Sequence, residues 1–238
     1  MSDQEQIAAI ILAAGTSRRM RSSHKLLLPL NNRPILEHVL IAALASQADP
    51  IVLVLGYQAD LIRTVLEGYR SVPAITWVEN SHYLQGMSSS IHVGIQTLLN
   101  MKKNPQCDGA MILLGDQPLI SFEVMNRLIE VRQQSHQPIV VPFYAGKRGN
   151  PVLFEKSIFP ELLAITGDEG GRSVIQRHLH DVAMVEMEYP GVHMDIDTWE
   201  DYERYRQCGE AISEQAEQSE CDRRADTARS SSPPGRGS

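Results

Sequence analysis

Alternating strand-like and helix-like segments predict an α/β chain with a three-layer, Rossmann-like architecture, a mainly parallel sheet carrying helices on both faces. Three observations carry this expectation. The runs Ile7–Leu12, Ile51–Leu55 and Ala110–Leu114 are continuously apolar and rich in branched residues, as strands covered on both sides are. Segments with helical spacing follow the strands, and several of the runs end in small or polar residues, where open α/β sheets gather ligands.

The first strand, Ile7–Leu12, empties into Ala13-Ala14-Gly15-Thr16-Ser17-Arg18-Arg19-Met20-Arg21-Ser22-Ser23-His24-Lys25. Its small residues let backbone N–H groups approach a ligand closely, and Arg18, Arg19, Arg21 and Lys25 concentrate positive charge, so an anion such as a nucleoside triphosphate is the expected guest. The loop has neither GxxxxGK[ST] nor GxGxxG, so neither standard phosphate-binding signature applies. Asn31 to Pro34 reads as a turn, and Ile35, Leu36, Val39, Leu40, Ala43 and Leu44 mark a helix over 34–47. The strand at 51–55 ends at Gly56, and a helix over Ala59–Glu67 is expected to turn Leu61, Ile62, Val65 and Leu66 to one side.

A third strand over 74–78 stops at Glu79-Asn80. Gly86-Met87-Ser88-Ser89-Ser90 then leads to a helix marked by Ile91, Val93, Ile95, Leu98 and Leu99, with the serines expected as N-caps of a terminus suited to anions. The strand 110–114 ends in Gly115-Asp116-Gln117-Pro118, which puts a carboxylate at the carboxyl end of a central strand before a helix starting near Ser121. Ile139–Val141 is another strand, and Lys147-Arg148-Gly149-Asn150-Pro151 precedes a short apolar segment, Val152–Phe154. Helices are expected over 157–163 and 173–179, separated by the glycine loop Thr166 to Arg172. A last strand covers 183–187, and Thr198 and Asp201 have capping-box-like spacing for a closing helix to about Gln207.

With 238 residues and 42% hydrophobic content, one domain over 1–207 is expected, followed by a tail, 208–238, of disordered composition. A net charge of −7 makes the basic cluster near residue 20 a local anion pocket and argues against a nucleic-acid surface. Cys107, Cys208 and Cys221 form no CxxC pair, as expected of reduced thiols. The polar start MSDQEQ and the lack of a long apolar run lead to the expectation of a cytoplasmic protein without membrane contact.

Taken as an ordered set, Leu12-Ala13-Ala14-Gly15, Arg19-Met20, Lys25-Leu26-Leu27, Gly86 to Ser90, Gly115 to Pro118, Gly149 to Val152, Gly167 to Arg172 and Asp195-Ile196-Asp197-Thr198 resemble the molybdenum cofactor cytidylyltransferases over about residues 7 to 205. The resemblance implies the wider nucleotidyltransferase fold. Its Ala13-Ala14 form is similar to the cytidylyl branch, whereas the guanylyl branch has a Gly-Gly pair there. Arg21 stands where the family usually has glycine, Trp199 where proline is common, and Asn150 where histidine is frequent.

The implied reaction moves CMP from CTP to the terminal phosphate of molybdenum-bound molybdopterin with release of pyrophosphate, for maturation of a molybdenum hydroxylase apo-enzyme. The resemblance assigns Arg19, Lys25 and Asp116 to catalysis. Leu12, Ala13, Ala14, Gly15, Arg19, Lys25, Gly86 and Ser89 fall in the matching motifs and are expected to bind nucleotide, joined by Arg18 of the basic loop and by Asn80, which should converge on the same strand edge. The resemblance assigns Asp116 with Asp197 to Mg²⁺, or Mn²⁺ in its place. Asp195 is the rival second ligand, because it and Asp197 share one face of an extended segment. Two readings from other classes stand beside this one: an NADPH-dependent oxidoreductase resembling nicotine blue oxidoreductases, and a molybdenum cofactor carrier without catalysis, against which Asp116 argues.

Overall fold

The computed structural model describes residues 5–16, 20, 24–101, 107–188 and 190–206. Arg18, Arg19 and Arg21 of the opening loop and the expected tail from 208 lie outside the described residues. Strand β1 (Gln6–Ala13) leads to α1 (Ile35–Ala45), β2 (Ile51–Leu55), α2 (Ala59–Val65), β3 (Ile75–Glu79), α3 (Met87–Asn100), β4 (Cys107–Leu114) and α4 (Phe122–Ser135). Then follow β5 (Ile139–Tyr144), β6 (Val152–Glu155), α5 (Phe159–Leu162), α6 (Arg172–Arg177), β7 (Val182–Glu186) and a closing helix α7 over 199–206.

The main sheet runs in the order β7-β5-β6-β4-β1-β2-β3, with the two-residue strand Lys147–Arg148 paired to the end of β5. β1 lies parallel between β2 and β4, with Ile11 opposite both Leu53 and Leu113. Because side chains alternate along a strand, Ile7, Ala9, Ile11 and Ala13 face one helical layer while Ala8 and Ile10 face the other. The first layer is α1, α2 and α4, through Leu36, Leu40, Ile62, Met125 and Leu128; the second is α3, α5 and α6, through Ile91, Ile95, Leu162 and Val174. The mainly parallel three-layer expectation is met.

β6 is the exception, pairing antiparallel to both β4 and β5. The connection 145–151 is too short for the crossover that a parallel strand needs. Two local expectations change. In α2 the buried positions are Ala59 and Ile62, with Leu66 just after the helix, whereas Leu61 and Val65 are each 45% exposed, because spacings of three and four select one helical face. Helix α3 begins at Met87 with Gly86 as its N-cap (φ 101°), so Ser88, Ser89 and Ser90 sit inside the first turn and do not cap it. The capping pair of α7 forms as expected: Thr198 N–H donates to Asp201 Oδ2 at 2.9 Å and Asp201 N–H to Thr198 Oγ1 at 3.1 Å.

Gly94 decides how closely α3 sits on the sheet, since a Cβ there would lie 2.5 Å from Ile10 Cγ2 on β1. Gly94→Val is expected to lower stability by about 1–3 kcal/mol, the usual cost of overpacking. Urea denaturation checks this against Gly68→Ala, where a Cβ meets nothing within 4 Å.

Candidate active site

The carboxyl ends of β1 and β4 are tied together by Gly115 N–H donating to Leu12 O at 3.0 Å. A Cβ at Gly115 would stand 3.0 Å from that same oxygen, so glycine permits the approach. Asp116 follows at the edge, and its carbonyl accepts the Ile196 N–H at 3.0 Å. That bond draws the segment before α7 across the sheet edge. Ile196, fully buried with Met20, Leu30, Ile35, Tyr202 and Tyr205, anchors it there. Tyr202 Oη also donates to Pro29 O at 2.6 Å, so α7 clamps the ribbon that follows Lys25.

Lys25 opens a single 3-10 turn, Lys25–Leu27, and its ammonium lies between two carboxylates, 2.6 Å from Asp116 Oδ2 and 3.0 Å from Asp197 Oδ1. Its side chain is 10% exposed. Burial alone would pull its pKa down, but the charges and hydrogen bonds of Asp116 and Asp197 outweigh this and raise it, so Lys25 is an ammonium at neutral pH. Asp195 is raised, first by burial and then by the negative charges of Asp116 and Asp197. His24, next in the chain, is lowered by burial against the opposing effect of its bond to Tyr57 O; its ring stacks on Tyr57 at 5.7 Å.

Lys25 and Asp116 open onto a cleft of about 400 Å³, whereas Asp197, paired with the same ammonium, is not among the residues that line it. Of the residues expected to bind nucleotide, the cleft is lined by Leu12, Ala14, Gly15, Lys25 and Gly86, together with Asp116. Ala13 instead turns into the core, where its Cβ lies near Gly115 and Leu36 belongs to the same cluster. Asn80 and Ser89 stand behind the cleft: Asn80 Nδ2 donates to Ser89 Oγ and Ser90 Oγ at 2.8 and 3.0 Å, and Ser89 Oγ donates to Gly86 O at 2.8 Å. They shape the turn before α3 and do not reach the cavity. Ser88 N–H donates to Gly167 O at 3.1 Å, so this helix terminus is already partly satisfied. Tyr83, Leu84, Gln85, Gly167 and Asp168 line the cleft without having been candidates; only the glycine loop had a signal in the sequence.

A second cavity of about 1150 Å³ adjoins the cleft and shares Met87, Leu114 and Asp168 with it. Phe143, Phe154 and Met184 give it an apolar wall, while Lys147, Arg148 and Arg172 bring positive charge.

Residues 9–182 match the model of the MobA-like NTP transferase domain. The chain belongs to the MobA-like NTP transferase family. As a member it is a nucleotidyltransferase. It is 31% identical to purine catabolism protein PucB of Bacillus subtilis over 84% of this chain and 96% of that protein. Nicotine blue oxidoreductase of Paenarthrobacter nicotinovorans is 26% identical over 84% of this chain and 96% of its own. The crystal structure of Rv0371c from Mycobacterium tuberculosis superposes with a TM-score of 0.72 at 28% identity, covering 86% of this chain and 99% of that one, and a manganese complex of Rv0371c is also similar, with a TM-score of 0.68. Among the described residues of this MobA-like transferase, no helix is long and apolar enough to cross a membrane.

The raised Asp195 gives this edge of the sheet a pH signature. A carboxyl whose folded pKa lies above its unfolded value favours folding fully below the unfolded pKa, about 3.9, and that contribution is lost as pH rises through the folded pKa. In EDTA, Asp195→Asn is therefore expected to melt higher than wild type at pH 7, with the difference closing as the buffer approaches pH 4. Calorimetry across that range is the check, and a pH-independent difference would remove the electrostatic explanation.

Proposed function

We propose that the protein transfers CMP from CTP to the terminal phosphate of molybdenum-bound molybdopterin, releasing pyrophosphate. The observation that carries the reading is that Lys25 and Asp116 line a cleft, with Asp197 paired to the same ammonium, beside a larger, cation-rimmed cavity. The cleft would take the nucleotide. The larger cavity suits an acceptor with a flat apolar body and a phosphate, the first against Phe143 and Phe154, the second toward Arg172, Lys147 or Arg148.

Two carboxylates fit a hard divalent cation. Mg²⁺ suits this arrangement, since it is commonly held by one or two carboxylates plus substrate phosphates and water, and Mn²⁺ would be held alike. Asp116 and Asp197 would hold it, and bound there it would supply charge neutralisation at the α-phosphate. The manganese complex of Rv0371c supports divalent metal use.

The attacking phosphate is already ionised at neutral pH, so the site needs no strong general base and its work is positioning and charge compensation. Gly15, with open space where a Cβ would be, lets the backbone after β1 approach the triphosphate. Lys25 lines the cleft and would neutralise the β- and γ-phosphates, with Arg19 in the same role. Ala14 lines the cleft but its methyl packs toward Gly56, so preference for cytosine would come from the volume available beside Tyr83 and Leu84 more than from the Ala13-Ala14 methyls alone. Transfer would mature a molybdenum hydroxylase, in keeping with the similarity to a purine catabolism protein.

The deciding experiment incubates the protein with CTP, Mg²⁺ and molybdenum cofactor and measures pyrophosphate. Asp116→Asn is expected to lower the rate by roughly a hundred- to a thousandfold, the scale of losing one preorganised charge, with circular dichroism unchanged. GTP is expected to be used less well than CTP by about 1–3 kcal/mol in transition-state binding, the range of small steric differences. The similarity to nicotine blue oxidoreductase adds an NADPH arm: saturable NADPH binding with no CTP turnover would replace transfer by reduction.

A further inference from the structure

The geometry points to Lys25 as an internal counter-ion that holds Asp116 and Asp197 in the metal-free protein and that a divalent cation must displace. The inference rests on the reading above for where the lysine goes next, but its first half stands on the distances alone. One ammonium 2.6 and 3.0 Å from two carboxylates occupies the position a cation bridging them would take. The side chains of Lys25 and Asp116 are only 10% and 21% exposed, so solvent screens this pair weakly and Asp116 is not readily left uncompensated, while Asp197 is 38% exposed.

Backbone bonds fix the start of the side chain while leaving its end free to move. Leu27 N–H donates to His24 O at 2.8 Å and Leu28 N–H to Lys25 O at 3.2 Å, which pins the turn, and beyond it lies a four-carbon stem. Lys25 also lines the nucleotide cleft, so a short swing of that stem takes the ammonium from the carboxylates to a triphosphate. A bare metal ion gains the carboxylates only by expelling an ammonium that then has no partner. A metal arriving with a triphosphate brings that partner with it. Metal and nucleotide are thereby made to bind together, and metal alone is disfavoured.

The test is Mn²⁺ binding to the full chain followed by electron paramagnetic resonance of the free ion, without and with CTP. Without nucleotide, Lys25→Met is expected to bind Mn²⁺ about tenfold or more tightly than wild type, while Lys25→Arg, which keeps the charge, stays within about threefold of it. Adding Asp116→Asn to Lys25→Met should abolish the gain. With CTP present the order should reverse, Lys25→Met forming the ternary complex more weakly than wild type. Equal or weaker Mn²⁺ binding by Lys25→Met in the absence of CTP would overturn the inference. Should that variant fold poorly without metal, its melting temperature must rise more on Mn²⁺ addition than that of wild type, and an equal or smaller rise overturns the inference as well. Pyrophosphate release separates the two readings: a metal-affinity gain in a protein that never turns over CTP sinks the transferase assignment alone, and turnover without the gain sinks the counter-ion alone.

Discussion

Three charges brought together, a nearly buried ammonium, the partly buried Asp116 and the more open Asp197, set the terms for this end of the molecule. Lys25, Asp116 and Asp197 come from the opening loop, the end of β4 and the segment before α7, and nothing in the local sequence links them. A partly buried ion group survives only with its partners present, because losing one leaves an uncompensated charge. Each connecting structure can be understood as a device for keeping that group assembled. The Ile196–Asp116 backbone bond sets the depth of the last segment, and the cluster of Met20, Leu30, Ile35, Ile196, Tyr202 and Tyr205 joins that segment to the loop bearing Lys25.

The reversed strand β6 has a consequence for the second cavity. β4 ends at the ligand edge, and in its antiparallel pairing with β6 Ile112 lies opposite Val152, so β6 starts at that same edge. The connection 145–151 therefore lies where the carboxyl ends of the parallel strands lie, and Lys147, Arg148 and Asn150 reach the cavity. Lys147–Arg148 pairs back on Phe143 and Tyr144 at the end of β5, so the turn that reverses the chain holds its basic residues at this edge. The short return into β6 thus keeps Lys147 and Arg148 beside the second cavity.

Much of this was legible in the sequence, for identifiable reasons. β1, β2 and β4 are buried on both faces, so their continuous apolar runs read as strands without tertiary information. Asp116 was singled out by its place at a strand end of an open sheet, and its reading as a metal ligand came from the resemblance. What could not be read were outcomes of distant packing. Ala13 and Ala14 are neighbours with similar side chains, yet the pleat sends one to the core and leaves the other at the cleft. Asn80 was expected at the ligand edge because it ends a strand and Ser89 because it starts a helix, and the bonds that tie Asn80 to Ser89 and Ser89 to Gly86 within ten residues depend on side-chain directions that the motif does not encode. Tyr83 and Leu84 carried no motif at all.

The partition between the two cavities is built from backbone more than from side chains. A Cβ at Gly86 would fall 2.4 Å from the carbonyl group of Gly167, and one at Gly171 would fall 2.5 Å from the Phe154 ring, so the glycine loop lies flush against α3 and β6. Gly167 O takes the Ser88 N–H that a free helix terminus would have offered to an anion. One N–H of the α3 terminus is thereby committed to holding the loop in place, and cationic side chains stand on either side of it, Lys25 in the cleft and Arg172 in the cavity. Between them, Leu114, Met87 and Asp168 face both spaces. On the proposed reaction this shared opening is where the α-phosphorus and the attacking oxygen meet. Asp168, an anion beside two anionic reactants, would there favour substrates whose charge is already compensated by Lys25 and a metal, and disfavour free phosphates that arrive without one.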